Sequence, residues 1–140
     1  MNKFMQQAIE EASKSVCLRS HVGAVVVRND KIIARGYNSA VGNIEPCLKT
    51  GCIRNKLNIK HGERREVCRY ICAEQYIVSE AARCGNSLDG SIIYVTTFPC
   101  NVCSKLLVNA GIKEIIYLKD YPDIMAKEFL KEVGVPFRQI

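Results

Sequence analysis

The hydrophobic positions of this chain change period several times, and each change marks an element. Over residues 2–15, Phe4, Met5, Ala8, Ile9 and Ala12 share one helical face, which predicts an amphipathic helix. "GAVVVR" (23–28) and "KIIARG" (31–36) are β-branched apolar runs joined by "ND", a hairpin signal. "YNSAVGNIEPC" (37–47) is rich in turn formers and reads as loop. Residues 49–66 show weak periodicity and read as an irregular insert with a short helix. A helix is predicted over 72–84, with Ala73, Ile77, Ala81 and Cys84 close to one face. "GNSLDG" is a turn and "SIIYVTT" (91–97) a strand. A helix over 101–110 stops at Gly111, a good residue beyond a helix end. "KEIIYL" (113–118) is a strand, 122–133 a helix with Pro122 in its first turn, and "VPFRQI" a last strand.

The order is helix, two strands, insert, then alternating helices and strands. It predicts one α/β domain over 1–140, with a basic, cysteine-containing insert at about 43–68. Helices lie on both faces of a mixed five-stranded sheet, as three α/β/α layers.

Composition agrees with a globular domain: of 140 residues, 48% are apolar and 24% charged. The apolar runs are far too short to cross a bilayer. The N-terminus carries acids and lacks the apolar stretch of a signal peptide, so a cytoplasmic, non-membrane protein is expected. In a reducing compartment, eight cysteines point to metal or chemistry before disulfides. Net charge is +6, and residues 49–70 hold seven Lys or Arg against two Glu, so +5 of it is there. Such a stretch suits an anionic ligand or a nucleic-acid backbone; the plainer reading is a solvated loop.

The chemistry sits in "RYICAEQY" (69–76) and "TTFPCNVC" (96–103). Cys72 starts one helix, and Cys100 and Cys103 start the next. Helix N-termini favour thiolates, and the C-x-x-C spacing lets two sulfurs reach one ion that Cys72 completes. Three protein ligands leave a tetrahedral position open, which catalytic zinc keeps and structural zinc closes. Glu74, in the first helical turn, is placed to move protons for an activated water. The set suits hydrolysis at an sp² carbon. The alternative is a closed four-cysteine knuckle, with Glu74 as a helix-start charge.

The two-part motif, Cys72-Ala73-Glu74 with Pro99-Cys100-Asn101-Val102-Cys103, resembles the zinc nucleobase deaminases, in which a non-ligand Glu shuttles protons. "HVGAVVVRNDKIIARGYNS", "ERREVCRYICAEQ", "DGSIIYVTTFPCNVCSKLLVNAGIKEIIY" and "DYPD" extend the likeness over roughly 15–123. The chain is similar to the cytidine and deoxycytidylate deaminase superfamily, and most like its deoxycytidylate (dCMP) group. That resemblance implies a cytidine deaminase-like fold and zinc held by Cys72, Cys100 and Cys103. It implies Glu74 as the proton shuttle and substrate contacts from Asn38, the backbone of Ala73, and Tyr121. The implied reaction is hydrolytic deamination of dCMP to dUMP and ammonia, with zinc hydroxide adding at C4. Relatives also imply a homo-oligomer with a small nucleotide as partner. Without the resemblance, Asn38 reads as a turn residue and Tyr121 as a partly buried aromatic.

Two positions depart from the family pattern. His-Ala-Glu is usual in the dCMP group, and here Cys72 adds a third thiolate, which calls for charge compensation by helix termini, N–H donors or an arginine such as Arg69 or Arg83. Tyr76 and Ile77 stand where the family continues "E-x-N-A", which opens the choice of substrate. Of the remaining cysteines, Cys84 reads as core packing. Cys17, Cys47, Cys52 and Cys68 bracket the insert. Some relatives carry a second, structural zinc there, so a closed four-thiolate site is expected, with His61 able to replace one ligand. Free thiols, or a Cys52–Cys68 disulfide, are the alternative. The rival functions are deamination of another base or nucleoside, a polynucleotide deaminase, and a non-catalytic zinc or nucleotide module. Nucleic acid ranks low, since six Tyr, four Phe and no Trp supply few stacking platforms.

Overall fold

A computed structural model describes all 140 residues. Helix α1 (Lys3–Ala12) begins at Asn2, whose side chain accepts the N–H groups of Phe4 at 2.8 Å and Met5 at 3.2 Å. It is shorter than the periodicity suggests. Ser13 turns its hydroxyl back onto the Glu10 carbonyl at 2.6 Å as the helix ends.

Strands β1 (Gly23–Arg28) and β2 (Lys31–Tyr37) form the expected hairpin. Asn29 and Asp30 both take positive φ, 52° and 61°, as a two-residue hairpin turn of this hand requires. A two-stranded ribbon, β3 (Ser39–Ala40) with β4 (Tyr70–Ile71), was not foreseen. It closes the base of the insert, which holds two single-turn helices, α2 (Cys47–Thr50) and α3 (Ile53–Lys56), and a 3₁₀ turn at Arg65–Val67. Then follow α4 (Ala73–Cys84), β5 (Ile92–Thr97), α5 (Asn101–Asn109), β6 (Glu114–Lys119), α6 (Ile124–Val133) and β7 (Phe137–Gln139).

The sheet is mixed and five-stranded, ordered β2-β1-β5-β6-β7. β1 runs antiparallel to β2 and β5, and β5, β6 and β7 are mutually parallel. Alternate side chains serve two layers. Ala24, Val26, Ile93, Val95 and Ile115 pack under α4, α5 and α6. Val25, Val27, Tyr94 and Ile116 pack against Met5 and Ala8 of α1. Both faces are covered, so the central strands are apolar throughout. Gly23 lets α1 approach: a Cβ there would lie 2.2 Å from the Ala12 nitrogen. The three-layer α/β/α expectation therefore holds. No helix is long and apolar enough to cross a membrane.

Cys84 departs from expectation. It is exposed, because residues 82–87 all face solvent as α4 ends at Gly85. Its sulfur lies 3.6 Å from Glu80 Oε1, outside the core.

Candidate active site and metal centre

Parallel strands leave a crevice at their carboxyl ends, where the following helices begin. β5 ends at Thr97 and β6 at Lys119, and both residues line a cavity of about 300 Å³. Cys72 and Cys100 are the N-cap residues of α4 and α5, and Cys103 lies in the first turn of α5. The sulfurs of Cys72, Cys100 and Cys103 lie within 4.8 Å of one another on the same cavity. They share protons. S–H donation from Cys103 and Cys72 holds Cys100 far below the ordinary thiol range. Its charge in turn pushes Cys72 and Cys103 up. A cation bound by all three as thiolates would release the protons that remain.

Two contacts fix this trio that sequence reading missed. Gln75 Oε1 accepts the Cys72 N–H at 2.8 Å, closing a capping box at the start of α4. Asp123 Oδ2 accepts the Asn101 N–H at 2.8 Å, at the start of α5. Asp123 was readable as the N-cap of α6, since Asp after Pro and before an apolar run is an N-cap signature, but its reach to Asn101 was not.

Glu74 lines the same cavity and is only 3% exposed. Burial pushes its carboxyl up to about 7, the range of a group that exchanges protons at neutral pH. Ala73 is buried beside it. Tyr121 lines the cavity too, with a buried hydroxyl that has no hydrogen-bond partner. Asn38 reaches the cavity, but its amide is already engaged. Its Oδ1 accepts the Val22 N–H at 2.8 Å, and its Nδ2 donates to the Ser20 carbonyl at 2.9 Å. It holds residues 20–22 in place, and only its remaining donor and lone pair are free for a ligand.

The guanidinium that meets the sulfurs is neither Arg69 nor Arg83. Arg69 Nη1 donates to Thr50 Oγ1 at 2.8 Å, and Arg83 pairs with Glu80 on the exposed side of α4. Arg65 takes that place, with its Nη2 2.8 Å from Cys72 Sγ. Burial works against its charge, but the Cys72 sulfur more than offsets this and raises its pKa. In sequence, nothing separates Arg65 from the six other Lys and Arg of residues 49–70.

The insert is solvated only in part: Lys49, Lys56, Lys60 and Arg64 are exposed, but other basic residues fasten the loop. Arg54, 3% exposed, donates Nη2 to the Glu63 carbonyl at 2.7 Å. Arg19 bonds Asn55 Oδ1 at 2.7 Å and also the Ile59 carbonyl. Gly62, at φ 83°, lets the loop sit against Tyr121 and Pro122. His61 stands edge-on to Tyr121 at 5.3 Å between ring centroids, inside the first cavity. It is therefore not placed as a substitute ligand beside the outer cysteines. Of those, Cys17, Cys52 and Cys68 line a second, smaller cavity. Burial, then the neighbouring thiols of Cys52, Cys68 and Cys17, pushes Cys47 up.

Tyr76 and Ile77, the second departure, do not line the cavity. Ile77 is in the core, and the Tyr76 ring rests on Gly36, where a Cβ would meet it at 2.6 Å. Neither side chain therefore reaches the cavity directly.

A family model described as the cytidine and deoxycytidylate deaminase zinc-binding region matches residues 1–119. ComE operon protein 2 of Bacillus subtilis is 34% identical over 98% of this chain and 69% of its own length. The deoxycytidylate deaminase of Schizosaccharomyces pombe is 34% identical over 97% of this chain, which spans 42% of that protein. The crystal structure of the dCMP deaminase from cyanophage S-TIM5, in complex with dCMP and dUMP, superposes with a TM-score of 0.78. It is 27% identical and covers 100% of this chain and 99% of that one. With the paired motif at one cavity and the family model matched from the first residue to the end of β6, this chain belongs to the cytidine and deoxycytidylate deaminase family.

Proposed function

We propose that the chain deaminates dCMP to dUMP and ammonia, with Cys72, Cys100 and Cys103 holding zinc. The observation that carries this is one cavity that joins the three sulfurs and Glu74 to five basic side chains, Arg19, His21, His61, Arg65 and Lys119. The donors suit zinc: three soft thiolates at two helix N-termini, with one tetrahedral position left over. Zinc there supplies a Lewis acid that ionises water near neutral pH.

The chain's own residues do the rest. Water adds at C4 of the cytosine and ammonia leaves. Glu74, tuned by burial, takes a proton from the attacking water and delivers it to N3, then carries the C4 hydroxyl proton of the adduct to the departing amine as the C–N bond breaks and the C4 carbonyl forms. The Ala73 backbone and Asn38 border the base, and the Tyr121 hydroxyl has hydrogen-bonding capacity to offer it. The basic side chains suit a phosphate monoester and favour the nucleotide over the free nucleoside.

Ammonia release tests this, with dCMP, deoxycytidine, cytidine and guanine offered in parallel. Turnover of dCMP that disappears in Glu74→Gln is the expected result. Preference for deoxycytidine or guanine would overturn the substrate assignment.

A second zinc at Cys17, Cys47, Cys52 and Cys68 is part of the same reading. Cys17, Cys52 and Cys68 on one small cavity, and the Arg19 backbone N–H directed at Cys17 Sγ, 3.5 Å away, support it; the four sulfurs are not converged as the trio is. Two metal equivalents per chain, falling to one in Cys52→Ser/Cys68→Ser, is the expected stoichiometry. One equivalent in the unaltered chain would overturn it.

A further inference from the structure

Residues 59–63 run from beyond the end of α3 to the catalytic cavity, and two arginines hold their backbone carbonyls. Arg19 Nη2 donates to the carbonyl of Ile59. Arg54 Nη2 donates to the carbonyls of Glu63 at 2.7 Å and, more loosely, Lys60 at 3.4 Å. Asn58, at φ 54°, turns the chain into this strap, and the Ile59 N–H donates back to the Arg54 carbonyl at 2.9 Å. The Glu63 N–H donates to the Lys60 carbonyl at 3.1 Å, so residues 60–63 form a β-turn with Gly62 at the position that takes positive φ. At the tip of that turn His61 lines the cavity, edge-on to Tyr121.

The latch is a charged group where a neutral one could hold a turn. Arg54 is 3% exposed, its Nε is buried without a partner, and none of the ion pairs of the chain includes it. A guanidinium buried among carbonyls alone is costly unless an anion comes to offset its charge. Arg54 does not line the catalytic cavity. It lines the smaller one, in company with Arg19, which lines both. Its charge is nevertheless felt at His61, whose pKa it helps to lower. The anion that reaches this side of the molecule with the substrate is the nucleotide's phosphate.

We infer that Arg54 is a positioning residue for substrate selection: by latching residues 59–63 it holds His61 at the cavity, and the latched strap makes the site prefer a nucleoside monophosphate to the free nucleoside. The inference rests on the reading that the substrate is a nucleotide. It goes beyond that reading in assigning the choice to a residue behind the cavity wall.

Calorimetric titration of the full chain with dUMP and with deoxyuridine tests it, since neither ligand is turned over. The unaltered chain binds dUMP the more tightly. Arg54→Gln, which lacks both the charge and the fork, loses about tenfold or more in affinity for dUMP, the scale of one hydrogen bond to a charged group. Its affinity for deoxyuridine falls less than about threefold. Arg54→Lys keeps the charge but not the planar fork that spans two carbonyls, and loses about fivefold for dUMP. Equal losses for both ligands would show that Arg54 only supports the fold and would overturn the inference. Full dUMP affinity in Arg54→Lys would do the same, because the charge and not the latch would then select. Should neither variant fold, amide exchange in the unaltered chain decides. There dUMP, and not deoxyuridine, slows exchange at the bonded N–H groups of Ile59 and Glu63, and the same rates with both ligands overturn the inference. An unaltered chain that binds dUMP no better than deoxyuridine would overturn the nucleotide reading itself, and this inference with it.

Discussion

Asp123 Oδ2 accepts the backbone N–H of Asn101 at 2.8 Å, across 22 positions of chain. The other oxygen of the same carboxylate accepts the Ala126 N–H at 3.0 Å and caps α6. One side chain thus serves the N-termini of two helices, and the first of them carries Cys100 and Cys103. Losing a cap costs about 0.5–2 kcal/mol. Asp123→Ala is expected to lose about 2 kcal/mol in urea unfolding and to bind metal more weakly, because the start of α5 is no longer tied down. Asp123→Asn keeps one acceptor and recovers about half of the stability. Metal affinity unchanged in Asp123→Ala would show that the thiols hold their geometry without the carboxylate.

How far such features were legible depends on whether the signal is local. The hairpin was legible because Asn29-Asp30 is a turn code written in adjacent residues. The sulfur trio was legible because helix starts and C-x-x-C spacing are local as well. α6 was legible apart from its first residues: the helix was expected from Pro122, but Asp123 is its N-cap and Ile124 its first residue. Arg65 was not legible. Its partner is decided by how the insert folds back, and seven Lys and Arg among polar residues carry no mark that Arg54 becomes buried and Arg65 half-buried. Cys84 misled for the opposite reason. Helical spacing placed it on the apolar face, but the helix had already run past the residues that could bury it.

Asn38 gives a functional prediction from structure alone. Its amide clamps Ser20 and Val22, and those residues wall the cavity. Asn38→Ala strands a backbone donor and an acceptor and is expected to cost about 1–3 kcal/mol. It also raises KM for dCMP by loosening that wall. Asn38→Asp keeps the bond to Val22 but sets a carboxylate oxygen against the Ser20 carbonyl, so its KM rises further. Denaturant unfolding and steady-state kinetics on both variants check this. An Asn38→Ala enzyme with unchanged KM would mean that the wall holds without its clamp.

His61 supplies the pH dependence. Burial lowers its pKa first, and the charges of Arg54, Arg65 and Arg19 lower it further, while Tyr121 covers its edge. The folded-state pKa is thus below the ordinary value of about 6.5. The sign follows: the imidazole is neutral at pH 7, and its stabilising contribution is fully present above about 6.5 and is lost as pH falls through the folded-state value. The ring is too exposed for this to be a large effect on unfolding. Binding is a more sensitive readout. If the nucleotide phosphate occupies the basic part of the cavity, its charge opposes the three arginines and raises the His61 pKa. Proton NMR titration is expected to show a His61 midpoint below 6.5 in the free protein that moves up on adding dUMP. Affinity for dUMP then rises as pH is lowered from 7, and His61→Gln removes that part of the rise not due to the phosphate's own ionisation. A midpoint that dUMP leaves unmoved would place the phosphate away from His61 and leave Arg19, His21 and Lys119 as its neighbours.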